Sequence, residues 1–293
     1  MNISKTEIEN LQNQGWKNQD IAKYFKISNS HLFKLKKILG IPTKRKNYDY
    51  LRKFNINDSF FKYLSPLNCY WAGFIAADGC IINNKLILAL STKDLNHLEK
   101  FKNDTCSNHN IGIYIKKNNN LTRMSEYCKL TIYSTNIVND LNLNFNIFNR
   151  KTLTLKPPPI INSELIDYYI KGYIDGDGCI SKYILKKDNK ENLTINITGT
   201  EFLLKWFNQR FSEVLNKKCN SLSRLRCVGE VYCSSYANKS GRKLFLHYYN
   251  LDFGLKRKWS EENFNFCKSW KRKIYTDLES LESEPEGNLD EEN

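Results

Sequence analysis

Two aspartates, Asp78 and Asp177, stand near the end of two closely matching stretches of a 293-residue sequence. The first stretch reads YWAGFIAADGCI and starts at Tyr70, and the second reads YIKGYIDGDGCI and starts at Tyr169. A match of this length between two parts of one chain indicates an internal repeat. Because carboxylates serve as acids, bases and metal ligands, the repeated aspartates are the first candidates for chemistry.

The residues before each acid predict a helix that packs closely against another helix. Small residues recur one turn apart on one face of each predicted helix: Gly73 with Ala77, and Gly172 with Gly176. Small residues at positions i and i+4 let two helix backbones approach closely. Gly79 and Gly178 follow the acids, and we expect both in the left-handed conformation that ends many helices.

Two acids placed in this way are unfavourable unless a cation joins them. Each carboxylate faces the negative end of a helix dipole, which costs a few tenths to about 1 kcal/mol. If the helices pack side by side, Asp78 and Asp177 also repel each other. A divalent cation offsets both penalties, and hard oxygen ligands suit Mg²⁺. We therefore predict a Mg²⁺ site at Asp78 and Asp177. We also expect the preceding residues, Ala77 and Gly176, to take part in it.

The elements that must position these acids also follow from the sequence. Each repeat is predicted as helix, strand pair, helix, strand pair, helix, and residues 67–157 form the first repeat and 158–275 the second. Apolar residues alternate with others from 111 to 116, with Ile111, Ile113 and Ile115 on one face, so helices should cover one face of each sheet. The predicted fold is α+β, with two pseudo-symmetric mixed helix and antiparallel-sheet repeats that form a saddle.

Residues 1–43 are predicted to form a small all-α domain of three helices. The segment from Gly15 to Gly40 resembles a helix-turn-helix, with Lys26 where that family often has glycine in the tight turn. In that family the last helix enters the major groove of DNA, which implies DNA contacts for Lys34, Lys36 and Lys37. An ordinary helical hairpin is the alternative. Residues 44–66 are expected to be a basic linker.

Charge is distributed unevenly along the chain. The whole sequence carries +14, but residues 277–293 contain eight acidic residues and no basic one. The preceding 276 residues therefore carry +22, from 45 basic and 23 acidic side chains. Such a charge favours a polyanionic partner, usually nucleic acid, although a coding sequence rich in A and T also enriches lysine and asparagine. Residues 276–293 are predicted to be an acidic, disordered tail.

The two repeats resemble the LAGLIDADG homing endonucleases, in the single-chain form that carries two motifs. The resemblance covers about 210 residues, and each repeat also contains an Arg-Lys pair, which ends at Lys151 or Lys258. It implies a metal-dependent endonuclease that cuts both strands of a long, asymmetric DNA site, as in intron homing. It further implies that Asp78 and Asp177 bind the metal and that Lys151 and Lys258 lie near the scissile phosphates.

One position departs from the motif of this family. Ala76 stands where the motif usually has its first aspartate, whereas the second repeat keeps Asp175. We expect Asp175 to be a local hydrogen-bonding residue rather than a metal ligand. Which lysine of residues 256–258 is catalytic stays open. The residues that we expect to contact the DNA grooves from the sheets are Tyr114, Lys116, Lys129, Arg224 and Arg226.

The resemblance implies double-stranded DNA as the partner, bound by a monomer that needs no protein partner. A protein that binds nucleic acid without cutting it, such as an RNA maturase or a DNA-binding regulator, is the alternative. The presence of both motif aspartates favours the enzyme. No stretch approaches the roughly 20 apolar residues of a membrane span, and the first residues lack a signal-peptide pattern. We therefore expect an intracellular protein, in the cytoplasm or in an organelle.

Overall fold

The computed structural model describes residues 3–14, 16–41, 53–117, 124–159, 162–185, 190–218, 220–225 and 230–269. The chain divides into two compact units between Lys53 and Phe54. Arg226, residues 44–52 of the predicted linker and the predicted acidic tail lie outside the described residues. Within the described ranges, no helix combines the length and the apolar character needed to cross a membrane.

Within its described residues, the N-terminal unit has three short helices: α1 (Lys5–Asn13), α2 (Asn18–Tyr24) and α3 (Asn29–Ile38). The helices share a small apolar core made of Ile8, Ile21, Ala22, Phe25, Leu32 and Ile41. Ser28 caps α3, because its hydroxyl accepts a hydrogen bond from the backbone N–H of His31. Lys26, in the turn between α2 and α3, has a φ of 54°, so a lysine occupies the left-handed position that the tight turn requires.

The larger unit contains both repeats, and each has the predicted order of elements. The first repeat consists of α4 (Pro66–Asp78), β1 (Gly79–Ile82), β2 (Lys85–Ser91), α5 (Leu95–Asp104), β3 (Ile111–Lys117), β4 (Met124–Tyr133) and α6 (Thr135–Phe145). The second consists of α7 (Ile166–Asp177), β5 (Gly178–Leu185), β6 (Lys190–Gly199), α8 (Glu201–Leu215), β7 (Ser223–Arg224), β8 (Tyr232–Ala237) and α9 (Asn238–Tyr249). Short 3-10 turns occur at Thr92–Asp94 and Lys151–Leu153, and residues 261–269 are also helical.

Each repeat contains one four-stranded antiparallel sheet. The strand order is β1-β2-β4-β3 in the first repeat and β5-β6-β8-β7 in the second. Helices cover one face of each sheet, so Leu130 and Ile132 of β4 are buried, as are Ile195 and Ile197 of β6. The predicted α+β class, with two repeats that each mix helices with an antiparallel sheet, is therefore confirmed.

The apolar face of β3 is covered at one end only. Ile111 packs against the core, but Ile113 and Ile115 are each 63% exposed. The expectation that helices cover all three isoleucines is therefore wrong for two of them. Ile115 lies opposite exposed Glu126, where the core has ended. Ile113 lies opposite buried Cys128 but on the edge strand β3, where the core stops at its neighbour β4.

Helices α4 and α7, which carry the repeated motifs, pack against each other through their backbones. A Cβ on Gly73 would lie 1.9 Å from the carbonyl oxygen of Tyr169, and a Cβ on Gly172 would lie 1.9 Å from that of Tyr70. The two contacts are reciprocal, as a twofold relation between the repeats requires. The close approach that the small residues predict is therefore present.

A polar anchor fixes the start of each motif helix. Asp167 accepts hydrogen bonds from Arg210 at 2.9 and 2.6 Å and from His247 at 2.9 Å, which ties α7 to α8 and α9. Burial alone would raise the pKa of Asp167, but these partners hold it at about 2. At the matching position of α4, the Asn68 amide donates to the carbonyl oxygen of Phe60 at 3.0 Å. Both helices therefore run from fixed starting points toward the acids at their far ends.

Replacement of Gly73 or Gly172 by alanine should strongly destabilise the larger unit. The added Cβ would meet a backbone carbonyl rather than a flexible side chain, so the two helices would have to separate. We expect the free energy of unfolding to fall by about 3 kcal/mol or more, although alanine is intrinsically the better helix former by roughly 1 kcal/mol. Chemical denaturation followed by circular dichroism measures this loss.

Gly112→Ala is the matched control for this prediction. A Cβ at this position would meet the ring of Tyr114 at 2.6 Å, and that ring is 41% exposed and can turn away. Its stability should stay close to that of the wild type. Equal losses in Gly73→Ala and Gly112→Ala would contradict the backbone packing of α4 on α7.

Candidate active site

Helices α4 and α7 end at Asp78 and Asp177, the last helical residue of each. Both side chains reach solvent, so a partner molecule can contact them. A Cβ on Gly176 would lie 3.4 Å from Cγ of Asp78, which places the acid of one helix against the end of the other. The structure therefore brings the two predicted acids to one place.

Gly79 and Gly178 are not left-handed, contrary to the expectation from the sequence. Their φ and ψ angles are −74° and 151°, and −89° and 154°, so both residues begin a strand in extended conformation. Glycine is needed there because a Cβ would lie 2.6 Å from the carbonyl oxygen of Ile75 or 2.5 Å from that of Ile174. The chain thus passes directly from helix to strand, and each acid stands at that junction.

The surroundings raise the pKa of both carboxyl groups. Partial burial and, second, the negative charge of Asp177 raise the pKa of Asp78 to about 6. The nearby charges of Lys258 and Lys151 act on Asp78 in the opposite direction. Burial also raises the pKa of Asp177, against the attraction of Lys151. The ionised pair is therefore unfavourable without a further positive charge beside it.

Each helix end is capped by the lysine of an Arg-Lys pair. Lys151 is buried, and its Nζ donates to the carbonyl oxygens of Ala76 and Ala77 at 2.5 and 2.8 Å. Lys258 is also buried, and the three N–H groups of its Nζ are shared among four carbonyl oxygens, those of Ile174, Asp175, Gly176 and Gly178, at 2.8, 2.5, 3.2 and 2.7 Å. Cations interact favourably with the last carbonyls of a helix. The two lysines therefore hold the helix ends that carry the acids, a role that the sequence did not reveal.

The three basic residues at positions 256–258 have different surroundings. Arg257 forms a two-point ion pair with Asp94, with N–O distances of 2.8 and 2.9 Å. Lys256 is exposed, whereas Lys258 reaches the end of α7. These positions favour Lys258 over Lys256 as the lysine that acts beside the acids.

The donor atoms at this place fit a hard divalent cation such as Mg²⁺. Two carboxylates lie beside the carbonyl oxygens of Ala77 and Gly176, each of which accepts one lysine hydrogen bond and keeps a second lone pair. In the described parts of the chain, no group of three or more His, Cys, Asp or Glu residues could hold a metal. Two carboxylates are enough for Mg²⁺ at a phosphate, because this ion usually completes its shell with water and substrate oxygens.

Asp175, two residues before Asp177, is a hydrogen-bond acceptor, as expected, but its partners are not local: they lie 80 to 105 residues away in the sequence. Its Oδ2 accepts from the Tyr70 hydroxyl at 2.7 Å and from the Leu255 backbone N–H at 2.8 Å. Its Oδ1 accepts from Nε1 of Trp259 at 2.6 Å. Burial raises the pKa of Asp175, and these hydrogen bonds act against the rise. Because the side chain is only 1% exposed, it cannot reach a metal or a DNA strand at the surface.

The matching hydrogen bond is missing from the first repeat. Ala76 stands at the position that corresponds to Asp175, and Tyr169 corresponds to Tyr70. The Tyr169 hydroxyl is buried and has no hydrogen-bond partner among the described residues. The alanine at position 76 thus accounts for the unsatisfied hydroxyl of Tyr169. The sequence signal for it was the difference between the two motifs at Ala76 and Asp175.

The uncovered face of the first sheet brings three predicted DNA-contact residues together. The ring of Tyr114 stacks on Tyr127 with centroids 5.4 Å apart, and Nζ of Lys129 lies 4.4 Å from the centroid of the Tyr114 ring. Lys116 is exposed and follows on the same face, opposite Ser125. We missed Tyr127 in the sequence, although the alternation that assigns Lys129 to this face assigns Tyr127 to it as well.

Arg224 does not lie on the uncovered face of the second sheet. It pairs with Tyr232, which shares its face with buried Ser234 and Tyr236. By this register Arg224 belongs to the helix-covered face rather than to the uncovered one, but it is exposed on the edge strand, and its DNA contact stays a prediction. The strand β7 has only two residues, and its pairing with β8 decides the face. A count along the sequence cannot supply that pairing.

Lys36 is buried within the N-terminal unit and does not face solvent. It is 1% exposed, and its Nζ donates to Oδ1 of Asn18 at 2.5 Å. Burial also lowers the pKa of Lys36. Its expected place beside a DNA groove is therefore wrong, because it lies one turn after buried Leu32 on the inner side of α3. Lys34 and Lys37 are exposed, and their DNA contacts stay predictions.

No protein-family profile and no curated protein sequence matches this chain. The chain is similar to LAGLIDADG homing endonucleases of known structure. I-WcaI, bound to its DNA recognition sequence, is 16% identical with a TM-score of 0.48, over 77% of this chain and 97% of that one. I-SmaMI, bound to DNA, is 15% identical with a TM-score of 0.47, over 77% and 98%. I-GzeII, in complex with its DNA target, is 14% identical with a TM-score of 0.46, over 78% and 100%.

Tyr70→Phe and Tyr169→Phe should differ in stability although they remove the same atom. The first change takes a donor from the buried Asp175 carboxylate, which should cost about 1–3 kcal/mol of unfolding free energy. The second removes a hydroxyl without a described partner, so it should be neutral or slightly stabilising. Denaturation midpoints of the two variants, taken at pH 7 with the wild type, measure the difference.

Tyr70 and Tyr169 occupy corresponding positions on the two motif helices, so each variant is the control for the other. A loss in Tyr169→Phe as large as that in Tyr70→Phe would contradict the account of the unsatisfied hydroxyl.

Proposed function

We propose that this chain is a site-specific endonuclease of the LAGLIDADG type that cuts both strands of DNA. The reciprocal packing of α4 on α7 carries this proposal, because it puts Asp78 and Asp177 together where solvent and a substrate can reach them. Acids with a raised pKa beside like charge are typical of functional rather than structural sites. The ammonium groups of Lys151 and Lys258 add positive charge at the same helix ends.

Asp78 and Asp177, with the carbonyl oxygens of Ala77 and Gly176, would hold a divalent cation such as Mg²⁺. When bound, the cation supplies an activated water and stabilises the charge on the phosphate and on the leaving oxygen. The two carboxylates hold and neutralise it, and their solvent exposure leaves room for a phosphodiester. The capping lysines keep both carboxylates in place and offset negative charge that develops on the phosphate.

The uncovered face of the first sheet supports DNA as the substrate. The stacked rings of Tyr114 and Tyr127, with Lys129 beside them, present the aromatic and cationic groups typical of nucleic-acid contacts. The net charge of +22 on residues 1–276 attracts a polyanion. In the second sheet the corresponding face carries Asn196 and Ser235. Because the two faces differ, we propose a long target with unlike half-sites.

We propose that the active unit is a monomer on DNA. Both acids and both capping lysines come from one chain, so a second copy is not needed to complete the site. Binding without cutting, as in an RNA maturase or a DNA-binding regulator, would use the same surfaces but would not need the acid pair. Cleavage with Mg²⁺ of a randomised DNA library separates the two functions.

Asp78→Asn and Asp177→Asn should each abolish cutting but not folding or DNA binding. An amide keeps the shape and removes one of two repelling charges, so stability should hold or rise slightly. It is a poor ligand for Mg²⁺, so both strands should be cut at least about 100-fold more slowly. Affinity in Ca²⁺ should stay within about tenfold, because most phosphate and base contacts lie elsewhere. Gel shifts and single-turnover cleavage with Mg²⁺ measure the two effects.

Glu262→Gln is the matched control. It also removes one carboxylate, but one that pairs with Lys182 and does not belong to the ends of α4 and α7. It should cut at the wild-type rate. Wild-type cutting by either aspartate variant would refute the acid pair as the active site. Loss of folding in both variants would show that these acids are structural.

Lys34 and Lys37 are exposed on α3, and we propose that they contact phosphates beside a major groove. The double variant Lys34→Gln, Lys37→Gln should bind target DNA more weakly but still cut at high protein concentration. Because two phosphates are then no longer neutralised, the slope of log affinity against log salt should fall in magnitude by about 2, at roughly 0.9 per phosphate. The DNA footprint should shorten on one side.

A double variant at Lys5 and Lys205 removes the same charge from two other exposed helix positions, where each lysine pairs with a glutamate. Its salt slope should change little. An unchanged footprint and salt slope in the α3 variant would indicate that the N-terminal unit is an ordinary helical hairpin without a DNA contact.

A further inference from the structure

The two halves of the proposed active site have unequal support. In the second half, the buried carboxylate of Asp175 accepts three hydrogen bonds from two separate parts of the chain: one from Tyr70 on α4, and two from the turn at 255–259, donated by the Leu255 backbone N–H and the Trp259 indole. In the first half, the corresponding residue is Ala76, which has no polar side-chain atom. The twofold relation between the repeats is thus broken two residues before the acids.

Asp175 holds both ends of the turn that carries Lys258. Leu255 and Trp259 bind the carboxylate directly, and the backbone between them is closed by hydrogen bonds from Lys258 and Trp259 N–H to the Leu255 carbonyl at 2.9 and 3.1 Å. Leu255 and Trp259 are both buried, at 5% and 8% exposure. Lys258 is thereby set in place, and its Nζ reaches four carbonyl oxygens around the end of α7.

The turn that carries Lys151 is held without a carboxylate: the Leu155 N–H donates to the Lys151 carbonyl at 2.9 Å, and the Leu155 carbonyl accepts from the Thr200 hydroxyl at 2.5 Å. The positions that correspond to Leu255 and Trp259 are Phe148 and Thr152. Phe148 is 49% exposed, and Thr152 is exposed as well. Lys151 reaches two carbonyl oxygens of α4, against the four that Lys258 reaches at α7.

We infer that Asp175 is a positioning residue that makes the two halves of the proposed active site unequal, so that the strand beside Lys258 is cut before the strand beside Lys151. The inference rests on the proposed function. A cationic group held more firmly in one geometry stabilises developing phosphate charge better than one held by fewer contacts. Because only the half beside Lys258 is held through the Asp175 carboxylate, we expect a nicked duplex to accumulate before the second strand is cut.

Strand-resolved cleavage of the target in a single turnover tests this inference, with a different fluorophore on each strand. The wild type should cut one strand faster, and Lys258→Gln should identify that strand by slowing it most. Asp175→Asn should slow the same strand about tenfold or more and leave the other within about twofold. The reason is that an amide offers one acceptor oxygen where the carboxylate offers two, so the bond to Tyr70 and Leu255 or the bond to Trp259 is lost.

Two further variants keep the result interpretable. Trp259→Phe removes one donor and leaves the carboxylate in place, so it should give the same strand-selective loss if Asp175→Asn does not fold. Tyr169→Phe, at the position that corresponds to Tyr70, should leave both rates unchanged. Equal slowing of both strands in a folded Asp175→Asn or Trp259→Phe would overturn the inference and reduce Asp175 to a structural residue.

Hydrogen exchange separates a failure of this inference from a failure of the proposed function. If the wild type cuts no DNA with any divalent cation, the proposed function fails. The positioning role of Asp175 can still be tested by hydrogen exchange in the protein without DNA. The Leu255 amide should then exchange about tenfold faster or more in Asp175→Asn than in the wild type. Unchanged exchange at Leu255 would overturn the positioning role.

Discussion

The backbone contact of α4 with α7 is the constraint on which the rest of the larger unit depends. At Gly73 and Gly172 the helices lie too close for any side chain. That contact fixes the axial register of the two helices and so determines where both end. Because each helix ends at an aspartate, the contact determines that Asp78 and Asp177 lie together. The sheets, which begin at the next residues, are placed by the same two helices.

This arrangement concentrates charge where water is partly excluded. Burial raises the pKa of both Asp78 and Asp177, and the negative charge of Asp177 raises that of Asp78 further. Lys151 and Lys258 offset part of the penalty by donating to the terminal carbonyls, but they are themselves buried cations. Burial lowers the pKa of both lysines, and the acids act against that shift. Acids and lysines therefore depend on each other, and the site carries an electrostatic strain that a divalent cation would relieve.

Local patterns predicted the fold and the acid pair because their signals are periodic. Small residues at i and i+4 predicted the contact of α4 with α7, and the repeated motif predicted the order of elements. Features set by distant contacts were predicted less well. Arg224 occupies a face that strand pairing decides, and Gly79 is required by a clash with Ile75 rather than by its φ. Lys36 was predicted from its charge, although its position one turn after a buried leucine indicated the interior.

The lysine caps illustrate the same limit at the site itself. The sequence shows two Arg-Lys pairs at matching places, but only the folded chain shows that each lysine turns into a helix end. The missing partner of Tyr169 could be read from the sequence in principle, since the two motifs differ at Ala76 and Asp175. The effect of that difference follows only from the contact between α4 and α7, because Tyr70 of the first repeat donates to Asp175 of the second.

Diffraction from crystals of the protein with its target DNA and Mn²⁺, recorded at the manganese absorption edge, tests most directly whether the paired helix ends form a metal centre. Anomalous density within coordination distance, about 2.1 Å, of the carboxylates of both Asp78 and Asp177 is the result that we predict. Manganese bound elsewhere on the complex, with neither aspartate in contact with it, would contradict the central claim.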